Sequence, residues 1–136
     1  MILIDSSVLI ALFDLRDANH QRCFSALASL PNERLLTTWC CCTEVMHFLG
    51  KIGGYSAQRR LWNLLQSRRV ELYDPTLAEI DRMSVLMEKY RDLPMDLADA
   101  SLVISAESLG IRQMLTLDSD FFVYRLSDGS AFQCYP

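Results

Sequence analysis

The stretch Ile2-Leu3-Ile4-Asp5-Ser6-Ser7 decides the fold class. Its short apolar run reads as a buried strand, and Asp5-Ser6-Ser7 is a helix-start signal. Outward from it, the chain alternates between the two periodicities. Helices are expected over Ser7 to Phe13 and Asn19 to Leu30, then a strand over Leu35 to Thr38 and a helix from Cys41 to Lys51. Gly53-Gly54 breaks the chain before a helix over Ser56 to Gln66 and a strand over Val70 to Tyr73. Thr76 to Tyr90 places Leu77, Ile80, Met83 and Met87 on one helical face. A helix follows from Asp96 to Leu109, stopped by Gly110, with strands over Met114 to Leu117 and Ala131 to Tyr135, the last at an edge. Strands alternating with helices imply parallel βαβ units and a sheet covered on both faces. The expected architecture is a three-layer α/β/α sandwich with a mostly parallel central sheet, one domain over residues 1–136.

Composition sets the outer limits. The chain is 51% hydrophobic and 22% charged, an ordinary globular balance. No window approaches the roughly 18 apolar residues of a membrane helix, so no membrane partner is expected. Asp5 comes too early for a secretory signal, which points to a cytoplasmic protein. The five cysteines, Cys23, Cys40, Cys41, Cys42 and Cys134, contain no C-x-x-C pair and form no disulfide framework. Trp39-Cys40-Cys41-Cys42 reads as the start of a packed helix. The net charge of −4 argues against a phosphate-binding surface unless the acids are gathered in one place.

Their positions suggest such a gathering. In parallel sheets the ligand crevice lies beyond the carboxyl ends of the strands. Asp5 follows the first strand, Asp118 follows the Met114 strand, and Glu44 lies early in the helix after Leu35 to Thr38. Asp96 and Asp99 share a helix face. Each also has a local reading: Asp5 as a helix cap, Asp96 with Asp99 as a capping-box analogue, Asp118 as a turn former, Glu44 as a solvated residue. Four such coincidences at one end of one sheet are less economical than a metal site. Oxygen ligands without paired thiols or imidazoles suit Mg²⁺, with Mn²⁺ as the second choice.

The motifs then carry a family resemblance. Ile2-Leu3-Ile4-Asp5-Ser6-Ser7-Val8-Leu9-Ile10 resembles the opening of PIN-domain nucleases. Thr43-Glu44-Val45, Pro94-Met95-Asp96-Leu97-Ala98-Asp99-Ala100 and Leu115-Thr116-Leu117-Asp118-Ser119-Asp120-Phe121 are similar to their later motifs, in order and at similar spacing. The length resembles that of the VapC-type toxin ribonucleases. The resemblance implies an acidic quartet of Asp5, Glu44, Asp99 and Asp118 holding Mg²⁺, with Asp96 as an accessory acid and Thr116 beside the site. Asp120 competes with Asp118, which is preferred because it follows the strand directly. The resemblance further implies an endoribonuclease that cuts single-stranded or loop RNA and leaves a 5′-phosphate and a 3′-hydroxyl. Its implied partners are a small antitoxin protein and a second copy in a homodimer. The alternatives are a free-standing PIN nuclease in RNA processing and a non-catalytic RNA- or protein-binding PIN module.

Other residues carry weaker signals. Arg59-Arg60, Arg68-Arg69, Arg22, Lys51, Arg112 and Arg125 are candidate phosphate contacts. His47, three residues after Glu44, is read as structural, and Trp39, Trp62 and Tyr55 as core rather than base-stacking residues. Leu61, Leu64 and Leu65 form an apolar stripe that fits an antitoxin groove, a dimer seam or plain core. Phosphatases that use an aspartate nucleophile want a second Asp where Ser7 stands, and receiver domains want a late lysine beyond Lys51 and Lys89. Setting aside the five proposed site acids leaves 12 acidic against 13 basic residues, a nearly balanced surface.

Overall fold

In the computed structural model, which describes residues 1–30 and 32–136, five strands form one sheet. They are β1 (Ile2–Ile4), β2 (Leu35–Thr38), β3 (Val70–Tyr73), β4 (Gln113–Leu115) and β5 (Gln133–Tyr135). The order is β3-β2-β1-β4-β5, and every pairing is parallel. Among the described residues five α-helices connect them: α1 (Ser6–Phe13), α2 (His20–Ala28), α3 (Trp39–Gln66), α4 (Ile80–Lys89) and α5 (Leu97–Leu109).

Strand alternation sends the side chains into two separate cores. Ile2, Ile4, Leu35, Val70 and Leu115 pack with Val8, Leu9, Cys23, Val45, Leu49 and Leu61 from α1, α2 and α3. Leu3, Leu36 and Met114 face the other way, against Met83 and Leu86 of α4, the apolar side of α5, and Phe121, Tyr124 and Phe132 near the C-terminus. A sheet apolar on both sides must be covered on both sides, and the three-layer sandwich follows. The sheet is wholly parallel, one step beyond the mostly parallel expectation, because β5 also runs with its neighbour β4. Among the described residues no helix is long and apolar enough to cross a membrane.

Several boundaries differ from the sequence reading. The Gly53-Gly54 break is real but narrow: helical structure runs through Trp39–Gln66 except at Gly54, whose φ of 62° and ψ of −155° interrupt it. Glycine reaches that conformation without the penalty a side chain would impose. The helix expected from Thr76 opens as a 3-10 turn, Leu77–Glu79, held by a capping box between Thr76 and Glu79. Leu77 and Ile80 are both exposed rather than on the buried face, whereas Met83 and Leu86 are buried and Met87 is half-buried. β4 ends at Leu115, two residues earlier than expected, so Asp118 does not follow the strand directly.

α5 is the keystone of the site. Residues Ala98 to Ala106 are all buried, and small side chains (Ala98, Ala100, Ser101, Ser105, Ala106) let the helix approach the sheet closely. Ser105 donates back to the Ser101 carbonyl at 2.7 Å, and Ser101 donates to that of Ala98 at 2.7 Å. Having spent its proton there, Ser101 Oγ accepts from Thr38 Oγ1 at 2.7 Å, which ties α5 to the carboxyl end of β2.

Candidate active site

The strand order reverses between β1 and β4, so the crevice of this fold opens at their carboxyl ends. Asp5 stands there, 5% exposed, as the N-cap of α1. Its Oδ1 accepts from Ser6 N–H at 2.7 Å and Ser6 Oγ at 3.3 Å. Its Oδ2 accepts from Ser7 Oγ at 2.7 Å and Thr116 Oγ1 at 3.0 Å. Ser7 Oγ in turn accepts from Leu117 N–H at 3.1 Å, so the ends of β1 and β4 are stitched together through this carboxylate. Burial pushes the proton affinity of Asp5 above the usual carboxylate range, while these donors pull it back.

The other acids join through shared hydroxyls and caps. Ser6 Oγ also reaches Glu44 Oε1 at 3.3 Å, linking α1 to α3. Glu44 itself is exposed, and its pKa is raised by desolvation, then by the charges of Asp96 and Asp5. Thr116 Oγ1 accepts from Asp118 N–H at 3.0 Å, so one hydroxyl positions Asp5 and Asp118 together. Asp96 and Asp99 form a reciprocal capping box at the start of α5: Asp99 N–H donates to Asp96 Oδ1 at 2.8 Å, and Asp96 N–H donates to Asp99 Oδ2 at 3.3 Å. Asp5 caps α1, and Asp96 with Asp99 caps α5, so the capping roles read from the sequence are present at these positions. Cys40, Thr43, Glu44, Asp96, Leu97 and Ala98 line an open cavity of about 320 Å³ beside them.

Asp99 is the second buried acid of the group. It is 7% exposed, and its pKa is pushed up to about 7, first by burial and then by the negative charges of Asp96 and Asp5. One side chain opposes this. Tyr124 Oη donates to Asp99 Oδ2 at 3.0 Å, from a ring that is fully buried and packed edge-on against Tyr90 and Phe121. Tyr124 was invisible to the sequence reading, because nothing local marks a tyrosine that reaches 25 positions back along the chain. Asp118 caps a 3-10 turn, Ser119–Phe122, by accepting from Asp120 N–H at 2.9 Å. Burial and the Asp118 charge raise the pKa of Asp120, so both acids stand at this rim.

The donor set is all oxygen, as a hard divalent cation prefers. Among the described residues, no Arg, Lys or His forms an ion pair with Asp5, Glu44, Asp96, Asp99 or Asp118. Burial raises the proton affinity of Asp5, Glu44 and Asp99, and with no protein cation paired to them these oxygen donors fit a bound divalent ion. Among the described residues, no three His, Cys, Asp or Glu side chains stand close enough together to hold a metal ion as they are; hydroxyl and amide donors hold the carboxylates instead.

A PIN-domain family model matches residues 2–125. The chain belongs to the PIN-domain family. A curated relative of this PIN domain, Ribonuclease VapC26 of Mycobacterium tuberculosis, is 27% identical over 135 residues, covering 98% of this chain and 99% of the relative. The crystal structure of M. tuberculosis VapC20, described as a Sarcin-Ricin loop cleaving toxin, superposes with a TM-score of 0.83 at 18% identity over the whole of both chains. A toxin–antitoxin complex from Klebsiella pneumoniae gives 0.69 at 22% identity, covering 89% of this PIN domain and 90% of that chain. FitAcB from Neisseria gonorrhoeae gives 0.63 at 18% identity, with 98% and 97% covered.

The secondary candidates sort differently from the sequence reading. Trp39, Tyr55 and Trp62 are 44%, 69% and 40% exposed, so they are not core residues. His47 is exposed on α3 and not packed in the core. Arg112 pairs with Asp128, Arg125 donates to the carbonyls of Phe122, Val123 and Tyr124, and Arg22 reaches the Pro136 carbonyl. Cys41 and Cys42 are buried, and burial lifts their thiols to about 12 and about 11, which makes them inert packing. The Leu61 stripe divides: Leu61 is core, Leu64 lines an apolar cavity of about 470 Å³ with Leu12, Phe13, Phe24 and Leu27, and Leu65 lines a different one near Arg68.

Proposed function

We propose that this PIN domain is a metal-dependent endoribonuclease of the VapC toxin kind, acting on single-stranded or loop RNA. The observation that carries the reading is the buried pair Asp5 and Asp99, with the more exposed Glu44, Asp96 and Asp118 around it and no cationic partner among the described residues, at the β1/β4 switch point. The named relatives, a ribonuclease and a toxin among them, support the direction. Asp5, Glu44, Asp99 and Asp118 would hold Mg²⁺ or Mn²⁺, with Asp96 as the accessory acid. Such an ion supplies positive charge against phosphoryl oxygens and lowers the pKa of a water molecule at neutral pH.

The protein's own residues have distinct tasks in this scheme. Thr116 keeps the Asp5 carboxylate and the Asp118 backbone in register, and Tyr124 holds Asp99 against the repulsion of its neighbours. Glu44, exposed and with a raised proton affinity, would accept a proton from the attacking water. An antitoxin protein and a homodimer belong to the same reading, and the complex from K. pneumoniae supports the former. The apolar cavity around Leu64 and Phe24 is a suitable seat for an antitoxin's apolar segment.

The test is cleavage of RNA by the purified chain with and without Mg²⁺ or Mn²⁺, beside Asp5→Asn and Asp99→Asn. Cleavage should require the metal and should disappear in both variants. Equal behaviour of all three proteins would reject the ribonuclease reading.

A further inference from the structure

From Val45 to Val70 the chain contains no acid, while Lys51, Arg59, Arg60, Arg68 and Arg69 fall within it. In a protein of net charge −4, this one segment holds five of the 13 basic residues. It begins where α3 leaves the acidic crevice, one residue past Glu44, and it makes up the rest of that helix. Beyond Gly54 the helix has two faces. Leu61 is buried, with Leu64 and Leu65 half-buried beside it. Tyr55, Arg59, Trp62, Asn63 and Gln66, spaced by four, three, one and three residues, share the opposite side and line an open cleft of about 430 Å³.

The makeup of that cleft is specific. Two exposed aromatic rings offer faces on which bases stack. Asn63 and Gln66 each carry an amide donor and acceptor that match base edges, and Arg59 forms no ion pair among the described residues. Arg60, by contrast, is spent on Phe13: its guanidinium lies 5.1 Å from that ring's centre and donates to the Phe13 carbonyl at 3.2 Å. A second copy of this chain is a poor occupant. A twofold contact sets the same patch against itself, and here that would place basic residues against basic residues with no acid of the segment to offset them.

We propose that the Tyr55–Arg59–Trp62 face of α3 is a binding surface for single-stranded RNA, with bases stacking on Tyr55 and Trp62 and a phosphate held by Arg59. The proposal rests on the ribonuclease reading for its biological use, but not for its test. Binding of a fluorescent single-stranded oligoribonucleotide is measured by anisotropy in EDTA, where no cation can hold phosphate at the acids. Tyr55→Ala and Trp62→Ala should each weaken binding about tenfold, as loss of one stacked base does. Trp62→Phe should restore most of the affinity. Arg59→Gln should lower the slope of log K against log salt by about 0.7, the value for one phosphate contact on a single strand.

Unchanged affinity in these variants, or absence of binding by the wild type in EDTA, overturns the surface even if Mg²⁺-dependent cleavage is intact. Loss of cleavage in the wild type would instead strike the ribonuclease reading. A dimer in light scattering that dissociates in Tyr55→Ala would assign the face to self-association and overturn the proposal.

Discussion

Asp99→Asn should make the metal-free protein more stable at pH 8, although it removes a proposed functional group. The side chain is 7% exposed, and its pKa stands at about 7 against an ordinary value of 3.8. The folded chain therefore holds this proton more tightly than the unfolded chain does. Below about pH 3.8 both states are protonated and the group is neutral in its effect. As pH rises from there to about 7, the fold loses stability, and by pH 8 the whole cost is present. At 1.36 kcal/mol per pH unit the ceiling is about 4 kcal/mol, which we halve to about 2 because solvent reaches the crevice and hydrogen bonds offset part of the burial. Asparagine keeps the shape and an oxygen for both the Tyr124 hydroxyl and the Asp96 N–H, so the charge is the main thing removed.

Thermal unfolding in EDTA should place the variant about 6–10 °C above the wild type at pH 8, and by less than half that margin at pH 5. Because Asp5 and Glu44 shift in the same direction, only the difference between variant and wild type isolates Asp99. Millimolar Mg²⁺ should then raise the wild-type midpoint and leave the variant's nearly unchanged. A variant no more stable than wild type at pH 8, or one with the same advantage at both pH values, would refute the account of Asp99 as a charge the fold resists.

Tyr124→Phe should keep the packing against Tyr90 and Phe121 but weaken Mg²⁺ binding measured by calorimetry, with about 1 kcal/mol lost in urea unfolding. Thr116→Val removes the donor to Asp5 and the acceptor for Asp118 N–H in one step, so it should cost about 1–3 kcal/mol in denaturant unfolding and reduce RNA cleavage sharply. Gly54→Ala meets no neighbouring atom within 4 Å, so any loss of stability, expected at about 1–2 kcal/mol, reports backbone strain at φ 62° alone.

The sequence reading was strongest where the signal was local. Ile2-Leu3-Ile4 is a continuous apolar run, Leu35 to Thr38 joins two leucines to two β-branched threonines, and both are strands paired in parallel. Gly110 ends α5 in the left-handed conformation, and Asp96 with Asp99 forms the capping box that their spacing suggested. It failed where tertiary packing overrides local pattern. The apolar spacing that put Trp62 in the core is real, but the helix turns Leu61 inward and leaves Trp62 40% exposed. Leu77 and Ile80 matched the face of α4, but the element opens as a 3-10 turn, which winds more tightly than an α-helix, and both residues at that opening are exposed.

The amino-acid sequence by itself determined the alternation of strands and helices, and with it the end of the sheet at which the acids would stand. Those features depend on runs of a few neighbouring residues, whose periodicity and capping chemistry are complete within one turn or one strand. Only the tertiary structure decided how the acids are held. Ser6 reaches Glu44 across 38 positions, Thr116 reaches Asp5 across 111, and Tyr124 emerges from a buried aromatic cluster to meet Asp99. Such contacts leave no local trace, because a hydroxyl's partner depends on which strands become neighbours. The order β3-β2-β1-β4-β5 is what sets the ends of β1 and β4 side by side.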